Sequence, residues 1–230
     1  MTRSQRFPGP SLLLLTIVHI ALFAANMVAA AVLRHGAPFV IPTAGSETVR
    51  AFFAENPAAV RVSSFFMFAS AVPFGILTAT AVMRLRFLGV RAAGSYIALF
   101  GGFAASGALA LCGLFGWVLS LPDVTASISV VRALSYLSFL FGGVTFAVGF
   151  GLLIAGIAVT SHFMRLLPRW LTTFGVVVAA AGELSSLSLV WYAANFLIPI
   201  NRYLGLIWLL VAAIQLSKAR QREGATAVAA

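Results

Sequence analysis

Six long apolar runs, separated by short polar or basic connections, are the feature that most limits what this chain can fold into. A bilayer core about 30 Å thick is crossed by a helix of about 20 apolar residues, whose backbone groups are all bonded internally. The runs cover residues 12–33, 58–83, 92–121, 130–161, 170–195 and 203–217. They predict an all-α integral membrane bundle of six transmembrane helices.

The composition agrees with a membrane protein and excludes an ordinary soluble domain. Hydrophobic residues make up 61% of the chain and charged residues 9%, whereas soluble domains carry about 25% charged residues. We expect one six-helix domain over residues 1–222, in contact with the lipid bilayer. Residues 223–230 are expected to form a disordered cytoplasmic tail.

The basic residues indicate how the bundle is oriented. If the runs alternate in direction, ten Lys and Arg residues fall on the side that carries both termini and five fall on the other side. Cytoplasmic loops carry the excess of Lys and Arg, so both termini are predicted to be cytoplasmic. The net charge of +10 is spread over the ends of the runs. It therefore gives no basis for a nucleic-acid partner.

The longest polar connection, residues 34–56, follows the first run. Glycine and proline interrupt its first half. Ser46 and Glu47 then favour a helix start, because a hydroxyl can cap the first turn and an acid complements the helix dipole. We expect a short amphipathic helix in this first extracytoplasmic loop, lying on the membrane surface.

One carboxylate, Glu183, falls inside an apolar run, about 18 Å of helical rise from Leu171 and so near the middle of the bilayer. An ionised carboxylate there costs at least about 2 kcal/mol, so it should face the bundle interior. Two interpretations are open. Glu183 is a proton or cation acceptor in a ligand site, with Ser185, Ser186 and Ser188 as lining, or a neutral group that bonds two helices together.

Four other polar residues are candidates for such a site. His19 and Asn26 are seven residues apart on the first run and share a helix face, and Asn26 is the better placed to meet Glu183. His19 is also typical of an interhelical hydrogen-bonding residue. Arg61 and Arg132, near the outer ends of the second and fourth runs, either form an entrance that attracts anions or extend to lipid phosphates.

Several cofactor classes have no support in the sequence. His19 alone among three histidines lies in a run, so two histidines cannot hold a haem in the membrane. Lys218, the only lysine, lies at a membrane end, which excludes a mid-span Schiff base. Cys112 is the single cysteine, so neither an intramolecular disulfide nor a cysteine metal cluster forms. We expect no cofactor and no metal, and no motif supports an enzyme activity.

Three segments carry a resemblance to a known group. They are Asn56-Pro57-Ala58-Ala59-Val60-Arg61, Arg165-Leu166-Leu167-Pro168-Arg169-Trp170-Leu171 and Gly182-Glu183-Leu184-Ser185-Ser186-Leu187-Ser188-Leu189. The chain resembles uncharacterised six-span bacterial inner-membrane proteins that are grouped as a domain of unknown function. The resemblance implies a bacterial inner membrane and carries no activity.

Two functions are compatible with these features. The leading hypothesis is binding or translocation of a small solute or lipophilic molecule, with Glu183 as buried proton or cation acceptor. The alternative is a non-catalytic structural or accessory subunit, in which the glycine-rich third and fourth helices pack against a partner protein or a second copy of the chain.

Overall fold

A computed structural model of the protein describes residue 7, residues 9–41 and residues 43–219. In this part of the chain every regular element is helical, and six helices are long and apolar enough to cross a membrane. They are Leu12–Leu33, Pro57–Phe87, Gly94–Val118, Ile128–Met164, Arg169–Leu189 and Tyr192–Lys218. The prediction of an all-α bundle with six spans is confirmed. The predicted tail, residues 223–230, lies outside the described residues.

Within these spans the α-helices are shorter, and we number them in chain order. They are α1 (Leu12–Leu33), α2 (Ser46–Glu55), α3 (Pro57–Phe87), α4 (Gly94–Val118), α5 (Pro122–Thr125), α6 (Ile128–Leu140), α7 (Phe146–Met164), α8 (Arg169–Leu184) and α9 (Leu197–Lys218). A π-helical segment, Phe141–Thr145, joins α6 to α7, and two 3₁₀ helices, Ser185–Leu189 and Tyr192–Phe196, join α8 to α9.

The ends of α3 and α9 meet on one side of the bundle. Arg84, which is buried, donates hydrogen bonds to the carbonyl oxygens of Leu216 at 3.1 Å and Ala219 at 2.6 Å. A guanidinium suits this position, because the last carbonyls of a helix are unbonded and carry partial negative charge. We call this side, where α1 begins and α9 ends, the terminal side, and the opposite side the loop side.

The fourth span is the centre of the bundle. Of its most apolar stretch, 67% is buried inside the protein, against 28% for α1 and at most 50% for the others. Glycines bring α7 against α4: a Cβ at Gly149 would lie 2.7 Å from the amide nitrogen of Ala105 and 2.8 Å from the carbonyl oxygen of Gly101. Small residues permit this close approach in lipid. These glycines therefore serve packing within the chain.

The π-helical segment interrupts the fourth span on the loop side. It contains the adjacent glycines Gly142 and Gly143, both buried. A π-turn carries an additional residue and is frequently found at functional sites. At this irregular turn, the backbone carbonyl of Gly142 accepts a hydrogen bond from Arg202 of α9.

The break between the fifth and sixth spans differs from the predicted one. The hydroxyls of Ser185 and Ser186 donate to the carbonyls of Gly182, at 2.5 Å, and Glu183, at 2.6 Å. Such local bonds compete with the α-helical ladder. The helix α8 therefore ends at Leu184 and the chain continues in 3₁₀ turns.

The sixth span begins earlier than expected. The helix α9 starts at Leu197, rather than at residue 203, and includes Pro199. Proline is tolerated in the first turn of a helix, because the N–H that it lacks would have no partner there. The predicted break at this proline is wrong, and Asn201 and Arg202 lie within the helix instead of in a loop.

The short helix α2 packs on the loop side of the bundle. Its Val49 is 1% exposed and belongs to a cluster with Val60, Leu119 and Val131 of neighbouring elements. The amphipathic helix expected to lie on the membrane surface thus turns its apolar face towards the protein. The helix α2 covers part of the loop side of the bundle.

The contact between α4 and α7 generates a stability prediction. We expect Gly149→Ala to lower the free energy of unfolding by about 1 to 3 kcal/mol, because the added methyl meets backbone atoms that cannot move alone. Thermal denaturation in detergent measures this.

Gly107→Ala is the matched control, since Gly107 lies on the same helix pair and has no atom within 4 Å of a Cβ. It should leave stability unchanged or raise it by about 0.5 to 1 kcal/mol through its helix preference. Equal melting temperatures for the two variants would contradict the packing described here.

Candidate loop-side cavity

A cavity lies on the loop side, beneath α2 and the connection that precedes it. It consists of a first chamber of about 180 Å³ and a second chamber of about 330 Å³. Residues that line both chambers are Phe39, Val40, Phe53, Met67, Cys112 and Ser138. We refer to the two chambers together as the loop-side cavity. Its walls are mainly apolar, so its few polar groups decide what it can bind.

Arg202 of α9 lines the second chamber. One terminal nitrogen of its guanidinium donates to the carbonyl oxygen of Gly142 in the π-helical segment. The guanidinium carbon lies 5.1 Å from the ring centre of Phe146 and 5.6 Å from that of Phe23, so the cation also contacts two aromatic faces. These contacts hold Arg202 at the chamber wall.

No acidic side chain among the described residues pairs with Arg202. Its Nε is buried and has no hydrogen-bond partner among the described residues. No acidic residue lines either chamber, and the ion pair found within the described residues joins Arg50 to Glu47 on α2. A buried cation without an anion is unfavourable. An acidic group in the second chamber would supply the missing charge beside the guanidinium.

A second arginine borders the first chamber. Arg34 follows the last residue of α1, and its Nε is also buried without a hydrogen-bond partner in the described chain. Each chamber therefore has one guanidinium at its wall. Arginine suits the recognition of carboxylate and phosphate, because its planar group can donate two parallel hydrogen bonds.

Cys112 and Ser138 lie between the chambers. The Ser138 hydroxyl donates to the carbonyl oxygen of Cys112 at 3.3 Å and lies 3.5 Å from its Sγ. The thiol packs directly on Gly142, where a Cβ would overlap the sulfur. Glycine at this position allows α4 and the π-helical segment to come together behind Arg202.

Of the residues proposed from the sequence, Asn26 lines the cavity. It is buried on α1 and borders the first chamber. The expected hydrogen bond between Asn26 and Glu183 is not formed. Glu183 instead packs against α7, with its Oε1 2.9 Å from where a Cβ of Gly151 would lie.

Glu183 lies near the loop-side end of α8. It is next to the last residue of this helix, about 21 Å of helical rise from its first residue, Arg169. Its Oε1 is buried and has no hydrogen-bond partner among the described residues. It lines neither chamber. Glu183 and the cavity are separate features of the bundle.

His19 connects α1 to α3. Its Nδ1 lies 2.9 Å from the carbonyl oxygen of Ser70, and its ring centre is 4.7 Å from that of Phe74. The residue is fully buried and its Nε2 has no partner in the described chain. Pro73 has no N–H to donate, so the backbone hydrogen bonding of α3 is interrupted at this turn. Backbone carbonyls there are left to accept a hydrogen bond from a side chain. This geometry matches the interhelical role considered for His19.

The remaining candidates lie near the loop-side surface. Ser185 and Ser186 bond to their own backbone, as described above, and Ser188 borders a third cavity. Arg61 donates to Ser120 at the end of α4, through its hydroxyl at 3.2 Å and its carbonyl at 3.3 Å. Arg132 donates to the Ala44 carbonyl and to the Tyr136 hydroxyl, each at 2.7 Å.

Sequence reasoning missed Arg202, which it assigned to a loop, and Arg34. A signal for Arg202 was present, because the apolar residues 196–200 precede it and 203–214 follow it. A single arginine between two apolar stretches is compatible with one continuous span. Its contact with Gly142, sixty positions earlier in the chain, depends on the fold.

Comparison with known proteins gives no further guidance. No family model matches the chain, and no curated protein or solved structure is significantly similar to it. Function must therefore be argued from the cavity and its charges.

Accessibility of the single thiol tests the cavity itself. We expect N-ethylmaleimide to modify Cys112 readily, because the residue lines both chambers. Mass spectrometry of the intact protein follows the reaction.

The matched control places the thiol at Ser161 in a Cys112→Ser background, through Ser161→Cys. Ser161 is 0% exposed and lines neither chamber, so its labelling should be slower by about tenfold or more. Equal labelling rates would mean that the cavity does not admit a small molecule.

Proposed function

We propose that this multi-pass membrane protein binds a lipophilic molecule with an acidic headgroup in the loop-side cavity, and that Arg202 holds the headgroup. The observation that carries the proposal is the guanidinium of Arg202 at an apolar chamber wall, with a buried Nε that no described residue bonds. An anion there gains a charge-assisted hydrogen bond in a medium of low dielectric constant.

The size and lining of the cavity support a lipophilic ligand over a small hydrophilic one. The second chamber, at about 330 Å³, is at the lower end of the usual range for ligand sites, about 300 to 1,000 Å³. Phe53 and Ile198 line it and would contact a hydrocarbon chain. The first chamber adjoins it, so a longer molecule can extend towards Arg34.

The membrane orientation proposed from the sequence gives this site a location. If both termini face the cytoplasm of a bacterial inner membrane, the loop side faces outwards. The cavity then lies at the level of the outer leaflet. Its ligand would be an acidic lipophile drawn from that leaflet or from the space beyond it.

Glu183 is retained in the proposal as a proton acceptor that is coupled to the site. A buried carboxylate oxygen without a partner supports such a role. The coupling runs through Gly182, which packs against the side-chain amide of Asn201, the residue before Arg202. Proton uptake at Glu183 would remove a negative charge from the helix that contacts Asn201 and would favour binding of the acid.

The alternative role, as a structural or accessory subunit, has less support. It was suggested by glycine-rich third and fourth helices that could pack against a partner protein or a second copy. Gly101 and Gly149 instead pack against each other's helices within the chain. No described feature requires a partner chain, whereas the charge of Arg202 at the chamber wall favours binding of an anion.

Substitution of Arg202 tests the proposal directly. We expect Arg202→Met to weaken binding of a fluorescent anthroyloxy-stearic acid by about 10-fold to 100-fold, since one charge-assisted hydrogen bond is lost. Titration of the full chain in phosphatidylcholine nanodiscs measures the dissociation constant. The methyl ester of the same probe should bind wild type and variant equally weakly.

Arg91→Met is the matched control, because Arg91 is exposed on the terminal side. It removes the same charge and should leave affinity unchanged. Arg202→Met should also keep the melting temperature, because loss of an unpaired buried charge offsets the lost contacts. Equal affinity for acid and ester in the wild type would refute the proposed function.

The coupling to Glu183 predicts a pH effect. Affinity for the labelled acid should fall more as the pH is raised in the wild type than in Glu183→Gln. An ionised Glu183 opposes the bound anion at the higher pH, and glutamine cannot ionise. The probe's own titration is the same in both proteins and cancels in the comparison.

Glu55→Gln, which alters an exposed acid on α2, is expected to keep the wild-type pH profile. If Glu183→Gln also keeps that profile and changes only the melting temperature, Glu183 joins helices and has no part in binding.

A further inference from the structure

A third cavity opens at the loop-side surface, and we call it the vestibule. Its volume is about 240 Å³. It is lined by Thr43, Tyr136, Phe139, Leu140, Val144, Ser188, Leu189, Tyr192 and Asn195. Its lining includes two phenol hydroxyls, two aliphatic hydroxyls and an amide, which can hydrogen-bond a polar headgroup.

Phe139 belongs to both the vestibule and the second chamber. Its side chain therefore forms part of the partition between the surface cavity and the chamber that contains Arg202. It lies near the end of α6, three positions before Gly142. Displacement of this one ring would join the two spaces.

The surroundings of the vestibule face lipid. Leu189, Val190 and Trp191, in the irregular connection after α8, are 64%, 93% and 62% exposed. Side chains of this kind on a spanning segment contact the bilayer, and Trp and Tyr favour its interface with water. The mouth of the vestibule is thus positioned at the level of lipid headgroups.

The vestibule also carries groups that can receive an anion. Arg132 donates to the hydroxyl oxygen of Tyr136 at 2.7 Å, and its guanidinium carbon is 4.9 Å from that ring centre. The phenol proton of Tyr136 is left to point elsewhere, and the neighbouring cation strengthens it as a donor. The hydroxyl of Tyr192 lies 3.5 Å from that of Thr43 across the same cavity.

We infer that the vestibule is a second binding site, which receives the headgroup of an acidic lipophile from the surrounding leaflet, and that Phe139 gates its passage to Arg202. This inference rests on the proposed function of the loop-side cavity. The headgroup first meets the hydroxyls of Tyr136 and Tyr192. It then moves past Phe139 to the Arg202 guanidinium, and the chain follows into the apolar chambers.

The test measures rates rather than affinity. Stopped-flow mixing of anthroyloxy-stearic acid with the full chain in phosphatidylcholine nanodiscs gives association and dissociation rate constants. Phe139→Ala should raise both by about threefold or more, and Phe139→Trp should lower both, because a gate acts on the barrier and not on the bound state. Tyr192→Phe should slow both, because Tyr192 contacts the headgroup on the path and not in the bound state.

Phe103→Ala is the control, since Phe103 is an exposed phenylalanine of α4 that lines none of the three cavities. Its rates should match the wild type. Phe139→Leu replaces Phe139→Ala if the smaller side chain destabilises the fold, and melting temperatures identify that case.

The outcomes separate the two proposals. If the wild type binds the acid through Arg202 but every Phe139 variant keeps wild-type rates, the gate is overturned and the proposed function stands. A change confined to dissociation makes Phe139 part of the binding wall and also overturns the gate. If the wild type does not bind the acid, both proposals fail together.

Discussion

The hydrogen bond from Arg202 to the carbonyl oxygen of Gly142 connects the features that give this bundle a possible site. The guanidinium comes from α9 and the acceptor from the π-helical segment of the central span. In lipid a charged group must be held by backbone, by aromatic faces or by an opposite charge. Arg202 has the first two through Gly142, Phe146 and Phe23, and no described acidic residue supplies the third. Under our proposal, the ligand of the loop-side cavity supplies it.

Close packing elsewhere keeps this irregular region in place. The central helix α7 contacts α4 through Gly149 and Gly101, and contacts α8 at Gly151 beside Glu183. On the terminal side Arg84 joins α3 to the last turn of α9. These contacts bring the helix backbones close together. On the loop side, the three cavities described above and the two 3₁₀ connections interrupt such packing.

The spans were predictable where hydrophobicity alone sets them, as with α1, whose bounds coincide with the apolar run 12–33. They were less predictable at Ser185 and Ser186, where side chains bond to backbone carbonyls and end the helix. They were also less predictable at Pro199, because a proline can either end a helix or stand in its first turn. Glu183 was found because a carboxylate in a hydrocarbon run is conspicuous. Arg202 was missed because an Asn-Arg pair shortly after a proline resembles the end of a span.

The sequence by itself determined that this is a six-span membrane protein. The reason is that the length and apolarity of each run are local properties, and these decide whether a helix can cross the bilayer. It also placed Asn26 and Glu183 on their helices. Only the tertiary structure decided which polar groups share a space: Asn26 with Arg34 at one chamber, Arg202 at the next, and Glu183 apart from both. The reason is that helix rotation and the π-turn at Gly142 depend on packing between distant segments, which no local pattern records.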